Sequence, residues 1–210
     1  MTRKTLKWWI SGLLCLLSSL LLTPAHATKL KTQNLTSLIR DANSIVIGQV
    51  VSVSDGFDEK GLPYTEVTLN VGRALKGKHA ENQPYTFRQF GLMKPRANAS
   101  GTTYLGVTPE GFPRWYQDEA VMVFLYQPAK ITGFQTTAGL SQGKLSLAAG
   151  KASNSQNNFG LFDDMSFQSV QLTAEEHQLL GSSGPADLQV LTGLIEKAVK
   201  QQWIERGVMQ

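Results

Sequence analysis

Residues 45–53 read Ile-Val-Ile-Gly-Gln-Val-Val-Ser-Val, and this stretch decides the fold class of the chain. Its apolar side chains repeat with period two, and its first three positions are apolar on both faces. Such a run predicts a long strand whose start is buried between two layers of the protein. Just before it, residues 34–42 carry a helical apolar stripe behind a capping residue, Asn34 or Thr36. The chain therefore passes from a short helix into a sheet.

Further strands follow from the same alternation. Residues 64–75 predict a half-buried strand, residues 84–90 pair with it across a wide hairpin, and residues 120–126 predict a deeply buried strand. We expect two more short strands at 129–137 and 140–148. The polar run at 151–158 is interpreted as a loose loop.

The C-terminal end has the signals of two helices. Thr173 and Glu176 form a capping box for a short helix. A second helix is expected behind Gly184-Pro185, with Pro185 in its first turn and an apolar stripe through Leu191 and Ile195. The order of elements predicts an α+β protein: a small antiparallel β-barrel with a short N-terminal helix and C-terminal helices. We expect a barrel domain at 28–170 and a helical segment packed on it at 171–210.

Residues 1–27 have the pattern of a cleaved signal peptide. A basic start precedes an apolar run at 8–22, and Ala25-His26-Ala27 forms a small-x-small cleavage site. The run is shorter than the roughly 20 residues that a membrane-spanning helix needs. A lipoprotein signal is disfavoured because the bulky Leu14 precedes Cys15. The sequence thus predicts a periplasmic or secreted protein with no stable membrane anchor after cleavage.

Removal of this segment changes the charge and the chemistry of the chain. The whole sequence holds 20 Lys and Arg against 16 Asp and Glu, and three of the bases lie at Arg3, Lys4 and Lys7. The remaining 17 bases and 16 acids nearly cancel, which argues against a nucleic-acid partner. The single cysteine, Cys15, is removed with this segment, so no thiol chemistry is expected of the mature chain.

No motif for catalysis or for cofactor binding is visible. His79 and His177 stand far apart without a metal-binding spacing, so no metal and no cofactor is expected. Ser141 lies in Gly-Leu-Ser-Gln-Gly, which differs from a G-x-S-x-G elbow and is interpreted as a turn. The carboxylates Asp118 and Glu119 are interpreted as ordinary loop residues.

The irregular segment 91–117 is the best candidate for a binding region. It is long for a loop in a compact domain and contains aromatic residues and an arginine, the types that anchor interfaces. The alternative is that the loop folds back and its aromatic rings seal one end of the core. The candidate binding residues are Tyr104, Phe112, Arg114, Trp115 and Tyr116.

Three segments carry a resemblance to a known group of proteins. They read Ala-Asn-Ser-Ile-Val-Ile-Gly-Gln-Val at 42–50, Val-Thr-Leu-Asn-Val at 67–71 leading to Leu-Lys-Gly at 75–77, and Ala-Val-Met-Val-Phe-Leu at 120–125 followed by Gly-Leu-Ser-Gln-Gly at 139–143. Over about residues 35–147 the chain resembles uncharacterised bacterial secreted proteins with an OB-like or netrin-module-like barrel. The resemblance implies the fold and no activity. Netrin-like metalloproteinase inhibitors chelate zinc through an N-terminal cysteine, which the mature chain lacks, so that mechanism does not transfer.

The leading functional hypothesis is an exported, non-enzymatic binding or interaction module. Its partner would be a protein or a glycan of the cell envelope or the cell exterior, contacted through the aromatic loop at 91–117. Two alternatives stay open. One is a secreted hydrolase without a recognisable motif, and the other is an accessory factor or inhibitor of a secreted protease.

Overall fold

The structure of this protein is a computed structural model that describes residues 31–106 and 108–210. The predicted signal peptide, residues 1–27, lies outside the described residues. The elements in chain order are helix α1 (Leu35–Asp41), strands β1 (Ser44–Phe57), β2 (Pro63–Lys76), β3 (Pro84–Phe90), β4 (Arg96–Ala97), β5 (Thr103–Tyr104) and β6 (Ala120–Leu125), a 3₁₀ turn (Leu140–Gly143), strands β7 (Lys144–Ala148) and β8 (Lys151–Ser153), helix α2 (Ala174–Leu180), strand β9 (Ala186–Asp187) and helix α3 (Leu188–Lys200).

Seven strands form one antiparallel sheet in the order β3-β2-β1-β6-β7-β8-β9, and β4 and β5 form a separate two-stranded ribbon. Together with the three helices this confirms the predicted α+β fold. The predicted strands at 64–75, 84–90 and 120–126 are confirmed, as is the pairing of β2 with β3. Closure of the sheet into a barrel is not shown, because the strand order in the described residues runs open from β3 to β9.

The start of strand β1, residues 44–46, and strand β6 from Val121 onward are buried on both faces and divide the interior into two cores. Ile45 and Phe124 pack toward the helices, while Val46 and Val123 pack on the opposite side with β2 and β3. This arrangement explains the apolar run at the start of β1, since neither face of the strand meets water there. The C-terminal segment, residues 171–210, contributes both to the sheet and to the helices that cover it. Strand β9 extends the sheet, and α3 packs in the core that contains Ile45 and Phe124.

The helix ends follow from side-chain capping. Asn34 accepts a hydrogen bond from the backbone N–H of Ser37 (3.0 Å) and starts α1. The capping box of α2 is confirmed. Helix α3 begins at Leu188 with Asp187 as its cap, so the prediction that Pro185 lies in the first turn is wrong. The helix begins here because the Asp187 carboxylate accepts hydrogen bonds from the backbone N–H groups of Gln189 and Val190, which have no partner within the helix.

Within the described ranges, no helix combines the length and apolar character needed to cross a membrane.

Two local predictions fail in the region after β6. Residues 129–137 contain a turn and do not form a strand; they contact the sheet through the bridge between Leu125 and Thr137 and through the N–H of Gln135, which donates to the carbonyl of Arg88 in β3. The segment 151–158 is not a loose loop. It contains β8, and Asn154 and Asn158 are buried, each accepting a backbone N–H bond from the other at 2.9 Å. Asparagine side chains replace the missing backbone partners of the turn, which a count of polar residues does not reveal.

Candidate binding site

The first half of the candidate loop is fixed to strand β1 by a single carboxylate. Asp55, whose side chain is 3% exposed, accepts hydrogen bonds from Arg96 Nε at 2.7 Å and from the backbone N–H of Met93 at 2.9 Å. Burial raises the pKa of Asp55, but the hydrogen bonds from Arg96, Met93 and Lys94 outweigh burial and lower the pKa below its ordinary value. The loop is therefore ordered by a charge-assisted contact.

Trp115 forms part of the core. It is 4% exposed, its ring meets Phe87 edge-on with centroids 5.3 Å apart, and its Nε1–H donates to Gln89 at 3.2 Å. Phe112 is half-buried. For these two residues the structure favours the reading in which loop aromatics seal the core. Trp115 therefore offers little surface of its own to a ligand.

Tyr116, by contrast, is 60% exposed and lies beside a partly buried ion pair. The Lys144 ammonium lies 5.8 Å from the centre of the Tyr116 ring and 5.3 Å from that of Trp115. Lys144 Nζ and Glu119 Oε2 are 2.6 Å apart, with side chains 8% and 17% exposed, and the Ser146 hydroxyl donates to the same carboxylate. The cation thus lies within cation–π distance of both rings while it pairs with the carboxylate.

The pKa of Lys144 reports on this environment. Burial lowers the pKa of the ammonium below its ordinary value, against the opposing hydrogen bond and charge of Glu119. The ion pair therefore lies in a partly dehydrated position, where its attraction is stronger than at an exposed surface.

Two clefts meet at residues 113–116, which we call the ridge. The first cleft, of about 420 Å³, is bounded by the ends of β2 and β3 and by the loop that Asp55 holds. The second cleft, of about 590 Å³, lies between the ridge and strands β7 and β8. Pro113, Arg114 and Tyr116 line both clefts, so they stand between them. Both volumes fall within the usual range for small-molecule sites.

Most of the residues that line the second cleft are polar, although apolar atoms supply the larger part of its exposed surface. Besides Glu119, Lys144 and the ridge residues Arg114 and Tyr116, the polar lining residues are Ser141, Ser146, Ser153, Asn154 and Ser155. Outside the ridge, sequence reasoning found Ser141 and Glu119 but gave them no role, and it missed the others. Lysine at the start of an otherwise alternating strand was the available signal for Lys144, since a charged residue there needs a buried partner.

The backbone beside the second cleft adopts rare conformations. Leu140 and Asp118 have φ values of +55° and +64°. The N–H of Ser141 donates to the carbonyl of Gly111 at 2.8 Å, which ties the 3₁₀ turn to the loop. Left-handed backbone at a leucine is costly and persists where the surrounding structure enforces it. The contacts of the 3₁₀ turn with the loop therefore fix the backbone beside this cleft.

The other predicted site residue, Tyr104, lies apart from the ridge. Its ring packs against Phe57 with centroids 5.1 Å apart. It lines neither cleft. The structure thus brings together Phe112, Arg114, Trp115 and Tyr116 and separates Tyr104 from them.

The described residues offer no grouping of three or more His, Cys, Asp or Glu side chains that could hold a metal ion. His177 is exposed on α2. His79 is half-buried against the ring of Tyr85 at 4.4 Å, and burial lowers its pKa.

Comparison of the chain with family models, with curated proteins and with solved structures gave no match. The function of the protein is therefore inferred from the geometry of the ridge and its two clefts.

Proposed function

We propose that this protein is an exported, non-enzymatic binding module that contacts a protein or an envelope glycan through the ridge. The observation that carries the proposal is the state of Tyr116. A large aromatic ring is left 60% exposed, and its centre lies 5.8 Å from the Lys144 ammonium, which pairs with Glu119. Tyrosine offers a large amphipathic surface with only two rotatable side-chain angles, so a ligand that packs on it costs little conformational entropy.

The position of the ring supports the same proposal. Tyr116 and Arg114 stand at the junction of two clefts, and tyrosine and arginine are enriched at the centres of binding surfaces. Scattered exposed apolar side chains need no explanation, but an aromatic ring between two concave surfaces is in the place where a ligand would be held.

We also propose that the sheet curls into a small OB-like barrel. The N–H of Gln135 donates to the carbonyl of Arg88 in edge strand β3 at 2.8 Å, and Thr137 bridges to Leu125 in β6. Residues 134–137 thus contact both β3 and β6. A closed arrangement would protect an otherwise open edge of the sheet.

Affinity capture tests the binding proposal. The full chain, its Tyr116→Ala variant and its Phe159→Ala variant are immobilised and exposed to solubilised envelope material. Phe159 is the matched control because it is an aromatic residue, 72% exposed, outside the linings of both clefts. We expect the wild type and Phe159→Ala to retain the same material and Tyr116→Ala to lose it. Equal capture by all three proteins, with unchanged melting temperatures, contradicts the proposal.

A hydrolase is the second candidate, and one observation favours it. The Ser146 hydroxyl donates to Glu119, and the Lys144 ammonium contacts the same carboxylate. A carboxylate could accept the hydroxyl proton during attack on a substrate. Covalent labelling of Ser146 by a fluorophosphonate probe, lost in Ser146→Ala, would support this candidate. The absence of labelling together with no turnover in a broad ester and peptide screen would reject it.

A further inference from the structure

We propose that the two clefts form one trough that binds a linear oligosaccharide, with one sugar ring stacked on Tyr116. This inference rests on the proposed binding function and names the class of its ligand. It is carried by the lining residues that the two clefts share, the polar groups of the second cleft and the compensation of charge within it.

The clefts share part of their lining at the ridge. Arg114 and Tyr116 line both, so a ligand lying over the Tyr116 ring would extend into each side. A single compact ligand would fill one cleft and leave the other empty. A chain of several units matches two concave surfaces with an aromatic ring between them.

The groups in the second cleft match the chemistry of sugars. Its lining contains four serine hydroxyls, of which Ser146 donates to Glu119 and Ser153 donates to the carbonyl of Asn154. Ser141 and Ser155 carry the other two hydroxyls, and a hydroxyl can both donate and accept, which is the property that recognition of a polyhydroxylated ligand requires. The flat apolar face of a sugar ring can pack on tyrosine, whose own hydroxyl stays in contact with water.

The charges in the cleft do not require a charged ligand. Lys144 and Glu119 are 2.6 Å apart and neutralise each other. Arg114 is exposed on the ridge and can donate several hydrogen bonds to hydroxyl, acetamido or carboxylate groups. Nucleic acid would require several unpaired basic groups along its backbone, which the described lining of the trough does not supply.

A protein partner fits the trough less well. Protein interfaces depend on deep apolar pockets that receive aromatic or aliphatic anchors. Trp115, which could form such a pocket, is 4% exposed and covered by its own contacts.

The test is a titration of the isotope-labelled full chain with cellotetraose, N-acetylchitotetraose, tetragalacturonate and the peptide tetra-alanine, followed by amide chemical shifts. We expect at least one tetrasaccharide to shift residues 111–119, 141–146 and 153–155, with no effect of the peptide. Tyr116→Ala should weaken that binding by about tenfold or more, and Phe159→Ala should leave it within about twofold.

The outcomes separate this inference from the function on which it rests. If no tetrasaccharide shifts these residues, or if Tyr116→Ala binds as well as the wild type, the oligosaccharide inference is overturned. If Tyr116-dependent capture from envelope material persists and is abolished by protease digestion of that material, the ligand is a protein. The binding function then stands without the oligosaccharide. If both capture and titration fail, both proposals are overturned.

Discussion

The buried pair of Lys144 and Glu119 is the residue-scale feature that organises the candidate site. Both charges lose part of their hydration, and that cost is recovered only while the two remain in contact. The contact distance of 2.6 Å and the hydroxyl of Ser146 supply the compensation. The ammonium of the pair also lies 5.8 Å from the centre of the Tyr116 ring.

Removal of one partner should reveal this dependence. Lys144→Met keeps the length of the side chain but leaves Glu119 without its cation. We expect the free energy of unfolding to fall by roughly 2 kcal/mol, less than for a fully buried pair because Glu119 keeps some solvent contact. Urea unfolding at neutral pH measures the change. The double variant Lys144→Met/Glu119→Gln should recover part of it. A single variant as stable as the wild type would contradict this account of the pair.

Asp55 provides a prediction for the dependence of stability on pH. Its folded-state pKa lies below the ordinary value of 3.8, so the folded protein binds this proton less readily than the unfolded chain. The stabilisation it contributes is present above about pH 4 and is lost as the pH falls through the lowered folded value. Asp55→Asn should therefore be less stable at neutral pH and should lose less stability between about pH 5 and pH 2. Urea unfolding across this range tests the claim, and parallel profiles for the two proteins would refute it.

At the scale of elements, the 3₁₀ turn Leu140–Gly143 contains a glycine, Gly143, that has no room for a larger side chain. A Cβ atom at Gly143 would lie 1.9 Å from the carbonyl oxygen of Ala138. The backbone cannot move away from this overlap without breaking the hydrogen bonds that join the turn to Gly111 and Thr137. The turn therefore requires glycine for a steric reason, and it positions Ser141 beside the second cleft.

Gly143→Ala should lower the free energy of unfolding by more than about 2 kcal/mol, as steric overlap with backbone does in packed interiors. Gly193→Ala is the matched control, because Gly193 lies in α3 and a Cβ there meets nothing within 4 Å. That control should gain about 0.5–1 kcal/mol, since alanine is the better helix former. Thermal unfolding measures both effects. A neutral Gly143→Ala would show that the turn does not constrain this position.

For the whole molecule, the spacing of apolar residues was sufficient to predict the long strands, where it alternates, and the helices, where it forms a stripe behind a capping residue. The apolar runs at the start of β1 and at 121–125 follow directly from burial of both faces, and no distant contact is needed to interpret them. The class of the fold was predictable for that reason. The position of Pro185 and the turn at 129–137 were not, because each depends on which of several local hydrogen-bond partners is satisfied.

The candidate site was predictable only in part. The loop was located by its length and its aromatic residues. Its neighbouring residues Trp115 and Tyr116 differ, however, because Trp115 is buried and Tyr116 is exposed. Nothing in the local pattern distinguishes them, since the register of the loop is set by Gln89 and Phe87 in a distant strand. The Lys144–Glu119 contact spans 25 positions and likewise required the fold.

The central claim is that the ridge and its two clefts are the contact surface of this protein. Hydrogen–deuterium exchange of the full chain, with and without solubilised envelope material, tests it most directly. The account predicts slower exchange at residues 111–119, 141–146 and 153–155, with helices α2 and α3 unchanged. Protection confined to those helices or to strand β9, with the ridge unchanged, would contradict it.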